Sequence, residues 1–264
     1  MGKKHLITCS VMVVLAIISR LDIFGTTPAN PAKTSPKTNA YAASSLVFYK
    51  VAEEEAEAGF SFANEAIPVN DKRVNLKLKK SISKNRFKNV QSNILHSKAD
   101  KLFPIIEPIL KAYGIPEDFK FVPLVESGLK EGTSPKGARG VWQFMPGTAR
   151  TYGLKVNKAV DERLNLRKST IAACKYIKEL YGEFNSWTLA AAAYNNGSIK
   201  LSRAINRQNE DNYFRMNLNR ETGSYVYKLI AMKEIITKPR KYGYSNYYGY
   251  LLKPNSVPYL MAAN

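Results

Sequence analysis

Apolar residues recur at spacings of three and four along most of the chain after residue 83, which is the period of a helix with one buried face. The pattern predicts helical structure from about Ser83 to a stop at Gly114, and a short helix that begins at Pro116. Strand-like alternation is nearly absent, so the sequence predicts a mainly α domain over residues 83–240. Further helices are predicted at residues 147–153, 166–182, 186–195, 198–207 and 221–238.

The first 24 residues have the pattern of an export signal. Lys3 and Lys4 precede a mostly apolar run from Leu6 to Ser19. This run is shorter than the roughly 20 residues that a membrane-spanning helix needs. We therefore expect an exported protein, in the periplasm or at the outer face of the cytoplasmic membrane. Residues 1–24 are either a cleaved signal peptide or a short signal anchor.

Two other segments flank the helical domain. Residues 25–45 are rich in Pro, Ala, Ser and Thr, a composition typical of a flexible tether. Residues 46–80 join an acidic run to a basic alternating stretch, "VNLKLKK", and are compatible with a short strand or with disorder. We therefore group residues 25–82 as a tether and an N-terminal segment without assigned chemistry. Residues 241–264 form a Tyr-rich C-terminal tail.

The net charge of +19 is unevenly placed, because residues 1–69 carry equal numbers of basic and acidic residues. A basic folded domain suggests a polyanionic partner, such as nucleic acid, a membrane surface or an anionic cell-wall polymer. Exported proteins seldom meet nucleic acid, so no nucleic-acid partner is expected. Association with the membrane through the N-terminus is a further expectation.

Cysteine and histidine are scarce. Cys9 lies inside the apolar N-terminal run, and Cys174 lies on a predicted amphipathic helix, where we expect it to be a small core residue. His5 and His96 are the two histidines and are far apart in sequence. These numbers and spacings match neither a disulfide framework nor a metal site, so we expect no metal and no cofactor.

Glu126 is the candidate catalytic acid. It ends a short predicted helix whose other residues are mainly apolar. Burial beside apolar groups raises the pKa of a carboxyl group and keeps its proton near neutral pH. A helix-end Glu that points to solvent is the alternative from this stretch alone. No Asp or Glu occurs between Glu131 and Asp161, so a second carboxylate is not close in sequence.

Three further stretches carry weak signals when each is taken alone. In "SPKGARGVWQFMPGTA", Gly137 and Gly140 permit tight turns in a loop that buries an aromatic side chain and exposes a Gln amide. An ordinary core-packing loop has the same pattern. "AAAAYNNG" indicates a helix end closed by Gly197. "ETGSYVYKLI" indicates a half-buried helix that Thr222 caps.

The order and spacing of the four stretches resemble those of the lytic transglycosylases with the soluble-lytic-transglycosylase (SLT) domain, which are similar to goose-type lysozymes. The matching motifs are "VESG", "S-x-x-GA-x-G-x-WQFMP-x-TA", "AYNNG" and "ET-x-x-YV". The resemblance covers roughly residues 95–240 and is strongest to the membrane-bound lytic murein transglycosylase D type. It implies a lysozyme-like fold.

The resemblance implies cleavage of the β-1,4 bond between N-acetylmuramic acid and N-acetylglucosamine, which makes peptidoglycan glycan strands the expected partner. Most glycosidases use two carboxylates. Here Glu126 is expected to act alone, first as acid and then as base, with help from the acetamido group of the substrate. The expected product carries a 1,6-anhydromuramyl end. The stretch without acidic residues agrees with this mechanism, although Asp161, Glu162 and Glu221 remain available as a second carboxylate.

The resemblance also implies roles for six further residues. Tyr225 is expected to hydrogen-bond Glu126 and set its protonation. Ser134 and Gln143 are expected to contact the acetamido and sugar groups. The groove is expected to be lined by Met145, Tyr194 and Asn195.

Two departures from the family pattern leave alternatives open. Gly223 stands where the family often has Arg, and the LysM wall-binding modules of the transglycosylase D type are not found. Wall targeting is therefore expected from the tether, the basic surface or a partner. The alternative functions are a lysozyme-like hydrolase that uses water, a non-catalytic wall-binding scaffold, and, least compatible with export, a DNA-binding protein.

Overall fold

The computed structural model describes residues 59–126 and 132–244. A short antiparallel hairpin of β1 (Ser61–Phe62) and β2 (Glu65–Ala66) precedes the helices. The helices are α1 (Lys72–Lys84), α2 (Phe87–Val90), α3 (Ile94–Ala112), α4 (Val122–Glu126), α5 (Pro146–Thr151), α6 (Leu166–Phe184), α7 (Trp187–Asn196), α8 (Ser198–Gln208) and α9 (Thr222–Thr237). Short 3-10 helices occur at Glu117–Phe121, Glu162–Leu164 and Arg240–Tyr242. The prediction of a mainly α fold is confirmed.

The predicted helices from residue 147 onward agree with α5 to α9 within two residues at each end. The agreement follows from local capping groups that the sequence displays. The side chain of Asn165 accepts a hydrogen bond from the backbone N–H of Lys168 at the start of α6, and that of Ser186 accepts one from Leu189 at the start of α7. Such caps satisfy backbone donors that a helix start leaves free.

Helix α9 lies at the centre of the folded body. Residues on nearly all of its faces are buried, and it packs against α1 and α7. A helix that is apolar all round is stable only when other elements cover every side of it. This position fixes the first turn of α9, which carries Tyr225, against the end of α4, which carries Glu126.

The folded body begins before residue 83, the boundary that the sequence predicts for the domain. Helix α1 spans that boundary, and Val74, Leu78 and Ile82 are buried on its face toward α9. The four-residue spacing of these three side chains outweighs the strand-like alternation of "VNLKLKK". Asp71 caps the helix by accepting hydrogen bonds from the backbone of its first turn.

The hairpin is joined to the body by the carboxylate of Glu65. It accepts hydrogen bonds from the backbone N–H groups of Trp187 and Thr188 and from the hydroxyl groups of Ser186 and Thr188. A carboxylate at a helix N-terminus satisfies free donors and interacts favourably with the helix dipole. Residues 59–71 are therefore part of the folded body as well.

The folded body also extends past residue 240 to the end of the described region. The side chains of Tyr242 and Tyr244 are buried, and the hydroxyl of Tyr244 donates to the backbone carbonyl of Asn85. Cys174 is a buried core residue, as predicted.

The predicted export segment, the tether at 25–45 and the tail from residue 245 lie outside the described residues. Among the described helices, none has the length and apolarity required to cross a membrane.

Candidate active site

Glu126 lies at the C-terminal end of α4 and is partly buried. Its Oε1 atom accepts a hydrogen bond of 2.6 Å from the hydroxyl of Tyr225, whose side chain is only 1% exposed. The Tyr hydroxyl is thus fixed on the carboxyl group by the packing of α9 against α4. The structure brings these two predicted site residues together.

The surroundings of Glu126 favour its protonated form. Burial raises the pKa of this carboxyl, and the nearby charge of Glu221 raises it further. The hydrogen bond from Tyr225 and the positive charge of Lys228 act in the opposite direction and lower the pKa. Burial is the largest of these effects, so the net shift is upward, as required of a general acid that works near neutral pH.

The loop that carries Ser134 and Gln143 is held by hydrogen bonds within itself. The Ser134 hydroxyl accepts from the backbone N–H of Ala138, and the Gln143 amide donates to the carbonyl of Gly140. Gln143 has a positive φ of 49°, a conformation that is uncommon for residues other than Gly. Strained backbone of this kind often occurs at functional sites. In the structure these two side chains shape the loop, and no hydrogen bond joins either of them to Glu126.

The same loop is anchored to the core by Trp142. Its side chain is 0% exposed, and its indole N–H donates to the hydroxyl of Thr170 on α6. The hydroxyl of Tyr194 donates to the backbone carbonyl of Trp142 at 2.7 Å. Burial raises the pKa of Tyr194 well above its ordinary value, and the charge of Glu126 adds to this increase. Tyr194 therefore braces the loop close to the candidate acid.

A buried arginine closes the loop from the other side. Arg163 is 6% exposed and donates to the backbone carbonyls of Gly137 and Phe144 and to the carboxylate of Asp161. The hydrogen bonds from Arg163 lower the pKa of Asp161 to about 2. Gly140 packs so closely on this segment that a Cβ atom there would lie 2.0 Å from the carbonyl oxygen of Arg163. The loop geometry therefore requires a glycine at residue 140.

Asn195 and Met145 have different surroundings. The Asn195 amide donates to the carboxylate of Glu221 at 3.3 Å. Its Oδ1 atom is buried and has no hydrogen-bond partner among the described residues. Met145 is 43% exposed, so its side chain is available for apolar contacts.

The three acidic residues that remained available as a second carboxylate differ in their contacts. Asp161 is bound by Arg163 and Arg139, and Glu162 is bound by Lys168 and by the backbone N–H of Lys155. Glu221 is exposed and acts on the pKa of Glu126. Of these three residues, Glu221 is the one whose negative charge raises the pKa of Glu126.

Two features of the site were missed or misplaced by sequence reasoning. Lys228 lies one turn after Tyr225 on α9, and the family motifs do not include it. The N-cap position of α9 is Glu221 and not Thr222, which is buried, and the Oδ1 atom of Asn219 caps the preceding turn by accepting from the backbone N–H groups of Glu221 and Thr222. An Asn three residues before a helix start is a recognisable signal for such a cap.

Within residues 59–126 and 132–244, no cluster of three or more His, Cys, Asp or Glu is placed to hold a metal ion.

A mainly helical body with a glutamate at the end of a short helix, faced by a tyrosine and an irregular loop, has the lysozyme-like architecture. The family model described as "Transglycosylase SLT domain" matches residues 104–217. The chain belongs to the family of proteins that contain this domain.

Proteins that are similar in sequence to this chain occur in Escherichia coli and in Alteromonas. The chain is 34% identical over 140 residues to "Membrane-bound lytic murein transglycosylase D" of Escherichia coli (strain K12), an alignment that covers 51% of this chain and 31% of the relative. The protein of the same name in Escherichia coli O6:H1 has the same identity and coverage. The "Putative tributyltin chloride resistance protein" of Alteromonas sp. (strain M-1) is 30% identical over 144 residues, with 53% of this chain and 69% of the relative covered. The aligned region spans about a third of the length of the Escherichia coli relatives.

Proposed function

We propose that this protein is a lytic transglycosylase that cleaves the β-1,4 bond between N-acetylmuramic acid and N-acetylglucosamine in peptidoglycan. The observation that carries the proposal is the partly buried hydrogen bond between Glu126, which lies within the SLT match, and Tyr225. The names of two relatives, which describe murein transglycosylases, support the same substrate class.

The first chemical step requires a proton donor. Burial raises the pKa of Glu126, which favours the protonated carboxyl that this step needs. It donates this proton to the glycosidic oxygen as the bond to C1 breaks. The carbonyl oxygen of the substrate's own acetamido group then stabilises the positive charge that develops at C1, as in other substrate-assisted glycosidases.

The second step requires a base, and the same carboxyl supplies it. After donating its proton Glu126 is an anion, which the Tyr225 hydroxyl and the positive charge of Lys228 stabilise. Glu126 accepts the proton of the C6 hydroxyl group as the C6 oxygen bonds to C1. The carboxyl is protonated again, no water is consumed, and the product ends in 1,6-anhydro-N-acetylmuramic acid.

The remaining site residues have supporting roles in this proposal. Tyr194 and Trp142 hold the loop against the core, which fixes the position of Gln143 and Ser134 at the groove. Asn195 has a buried oxygen that an N–H group of the bound sugar can satisfy. Met145 provides an exposed apolar contact.

The proposed site of action is outside the cytoplasmic membrane, on the cell wall. The excess positive charge of residues 70–264 is complementary to a wall polymer that carries carboxylates. The apolar N-terminal segment is consistent with export, and it provides a route to membrane association. The word "Membrane-bound" in the names of two relatives supports the same location.

Product analysis tests the proposal. Purified protein is incubated with purified peptidoglycan, and the soluble fragments are analysed by mass spectrometry. We expect anhydromuramyl ends, which are lighter than reducing ends by the mass of one water. Reducing ends would identify a hydrolase, with Glu221 as the leading second carboxylate. No fragments from the native protein, with binding retained, would identify a wall-binding scaffold. The Glu126→Gln variant is the matched control for contaminating activity.

A further inference from the structure

A cavity of about 560 Å³ opens between the C-terminal half of α1 and the first turns of α9. Its volume lies in the range of typical ligand sites. We call it the basic pocket, because five of the residues that line it are Lys77, Lys80, Lys84, Arg220 and Lys228. No Asp or Glu of the described chain lines it.

The positive charge of the basic pocket has no acidic partner within the part of the chain that the structure describes. None of the five basic side chains takes part in an ion pair within the described residues. The nearest acidic side chain in sequence, Glu221, accepts a hydrogen bond from Asn195 on α7 instead. Five cations that surround one concavity repel each other, and an anionic ligand relieves that repulsion.

The basic pocket lies next to the candidate active site. Val125, the residue before Glu126, forms part of its wall, and so does Lys228, whose charge acts on the pKa of Glu126. Tyr225 and Lys228 are three residues apart on α9 and therefore lie on neighbouring turns of one face. When a glycosidic bond of a glycan strand lies at Glu126, the sugar and peptide groups next to that bond therefore lie at the opening of this pocket.

The walls of the pocket come mostly from outside the SLT match at residues 104–217, within which only Leu124 and Val125 fall. Gly223 lines the pocket, and a Cβ atom there would lie 3.2 Å from the backbone carbonyl oxygen of Leu218. The absence of a side chain at residue 223 keeps this wall open. Helix α1, which supplies three of the five basic side chains, also lies outside the resemblance over residues 95–240, so this wall is one that α1 adds beside the family motif at the start of α9.

We propose that the basic pocket binds the carboxylate groups of the peptide side chains on the glycan strand, so that the protein prefers peptide-bearing strands to bare ones. This inference rests on the proposed function for the identity of the strand. Lysine ammonium groups on flexible stems bind scattered carboxylates as point charges. The concave shape favours short, projecting anionic groups over the flat surface of a membrane.

The test is equilibrium binding of two soluble glycan fragments of equal length, one with its peptides and one from which an amidase has removed them. The full-length protein carries Glu126→Gln so that strands are not cut. The pocket variant adds Lys80→Gln and Lys84→Gln. The matched control adds Lys72→Gln and Lys79→Gln, which lie on the same helix outside the pocket and change the net charge equally.

We expect the protein with the intact pocket to bind the peptide-bearing fragment more tightly, by about tenfold at low salt, since each solvent-exposed ion pair contributes a modest factor. The pocket variant should lose most of this preference, whereas the matched control should keep it. Equal affinity for the two fragments, or equal loss in pocket and control variants, would overturn the inference.

The pocket assignment and the proposed function can fail separately. If the native protein does not cut glycan strands, the proposed function fails. The pocket assignment still stands if the protein prefers the peptide-bearing fragment and the pocket variant loses that preference. A variant in which Glu53, Glu54, Glu55 and Glu57 are changed to Gln tests the chain's own acidic run as the occupant. We expect this variant to bind the peptide-bearing fragment with unchanged affinity. A gain in that affinity would overturn the assignment and identify the acidic run as the occupant of the pocket.

Discussion

The hydroxyl of Tyr225 donates to Oε1 of Glu126 over 2.6 Å, and this bond lowers the pKa of a carboxyl group that burial raises. In the proposed mechanism, a single group that serves as acid and then as base needs both effects. Burial keeps the proton available for the first step. The Tyr hydroxyl stabilises the anion that the first step leaves behind.

Replacing Tyr225 by Phe should lower the turnover rate by about ten- to a hundredfold, because a hydrogen bond to a charged group contributes roughly 1.5–3 kcal/mol. The melting temperature should change little, since the ring and its packing remain. Because this bond lowers the pKa of Glu126, its loss should move the alkaline limb of the pH–rate profile to higher pH. A peptidoglycan turbidity assay across pH measures both effects. An unchanged rate and profile would show that the bond has no catalytic role.

Replacing Glu126 by Gln should reduce turnover by about 10⁴-fold or more, at or beyond the top of the range for general acid–base catalysis. One group performs both proton transfers in the proposed mechanism, so both are lost together. Binding of glycan strands should be retained, because Gln has nearly the same shape. Single-turnover assays and a binding titration on one preparation distinguish these effects. Residual turnover close to that of the native protein would assign the acid to another residue.

Replacing Glu221 by Gln and Lys228 by Gln should shift the pH–rate profile in opposite directions. Glu221 raises the pKa of Glu126, so its neutralisation should move the alkaline limb to lower pH. Lys228 lowers that pKa, so its neutralisation should move the limb to higher pH. Both shifts should diminish at high salt, because exposed charges are screened. A complete loss of activity in Glu221→Gln would instead support a two-carboxylate hydrolase.

Replacing Gly140 by Ala should lower the free energy of unfolding by about 3 kcal/mol, since a Cβ would collide with the carbonyl of Arg163 at a φ of 77°. Urea denaturation measures the change. Gly137→Ala is a control for positive φ alone, because open space surrounds residue 137. Gly147→Ala, in α5, has open space and an ordinary φ, and should be neutral or slightly stabilising. Equal effects at all three positions would contradict the close approach at residue 140.

Replacing Glu65 by Ala should lower the free energy of unfolding by about 2–3 kcal/mol, because the start of α7 loses a charged cap and several hydrogen bonds. The same denaturation experiment measures it. Glu183→Ala, which removes one exposed hydrogen bond from Ser202, is the control and should cost less than about 1 kcal/mol. An effect of Glu65→Ala no larger than that of the control would mean that the hairpin is not needed for stability.

The sequence predicted the helices well wherever the signals are local. The boundaries of α6 and α7 follow from caps at Asn165 and Ser186 that the sequence displays directly. Helix α1 was missed because its alternating Lys and Leu residues imitate a strand, and only packing against α9 identifies the buried face. A helix cap is visible in the local sequence, whereas the buried face of a helix depends on the packing of the whole fold.

Sequence motifs predicted one contact of the candidate site and missed others. Motif order singled out Glu126 and Tyr225, which the structure joins by a hydrogen bond. Motif order did not reveal that Ser134 and Gln143 bond to their own loop, because that follows from backbone geometry around Gly140. The basic pocket was equally hidden, since it combines lysines of α1 with residues of α9 that lie more than 130 positions away in sequence.

The central position of α9 has a consequence for the timing of activity. Glu126 and Tyr225 are separated by 99 residues, and α9 is the last of the described α-helices. A polypeptide that is still emerging from a ribosome or a translocation pore presents the glutamate long before it presents the tyrosine. The pair forms only when the chain through α9 is free to fold, so a molecule whose α9 is not yet synthesised or translocated cannot assemble this site.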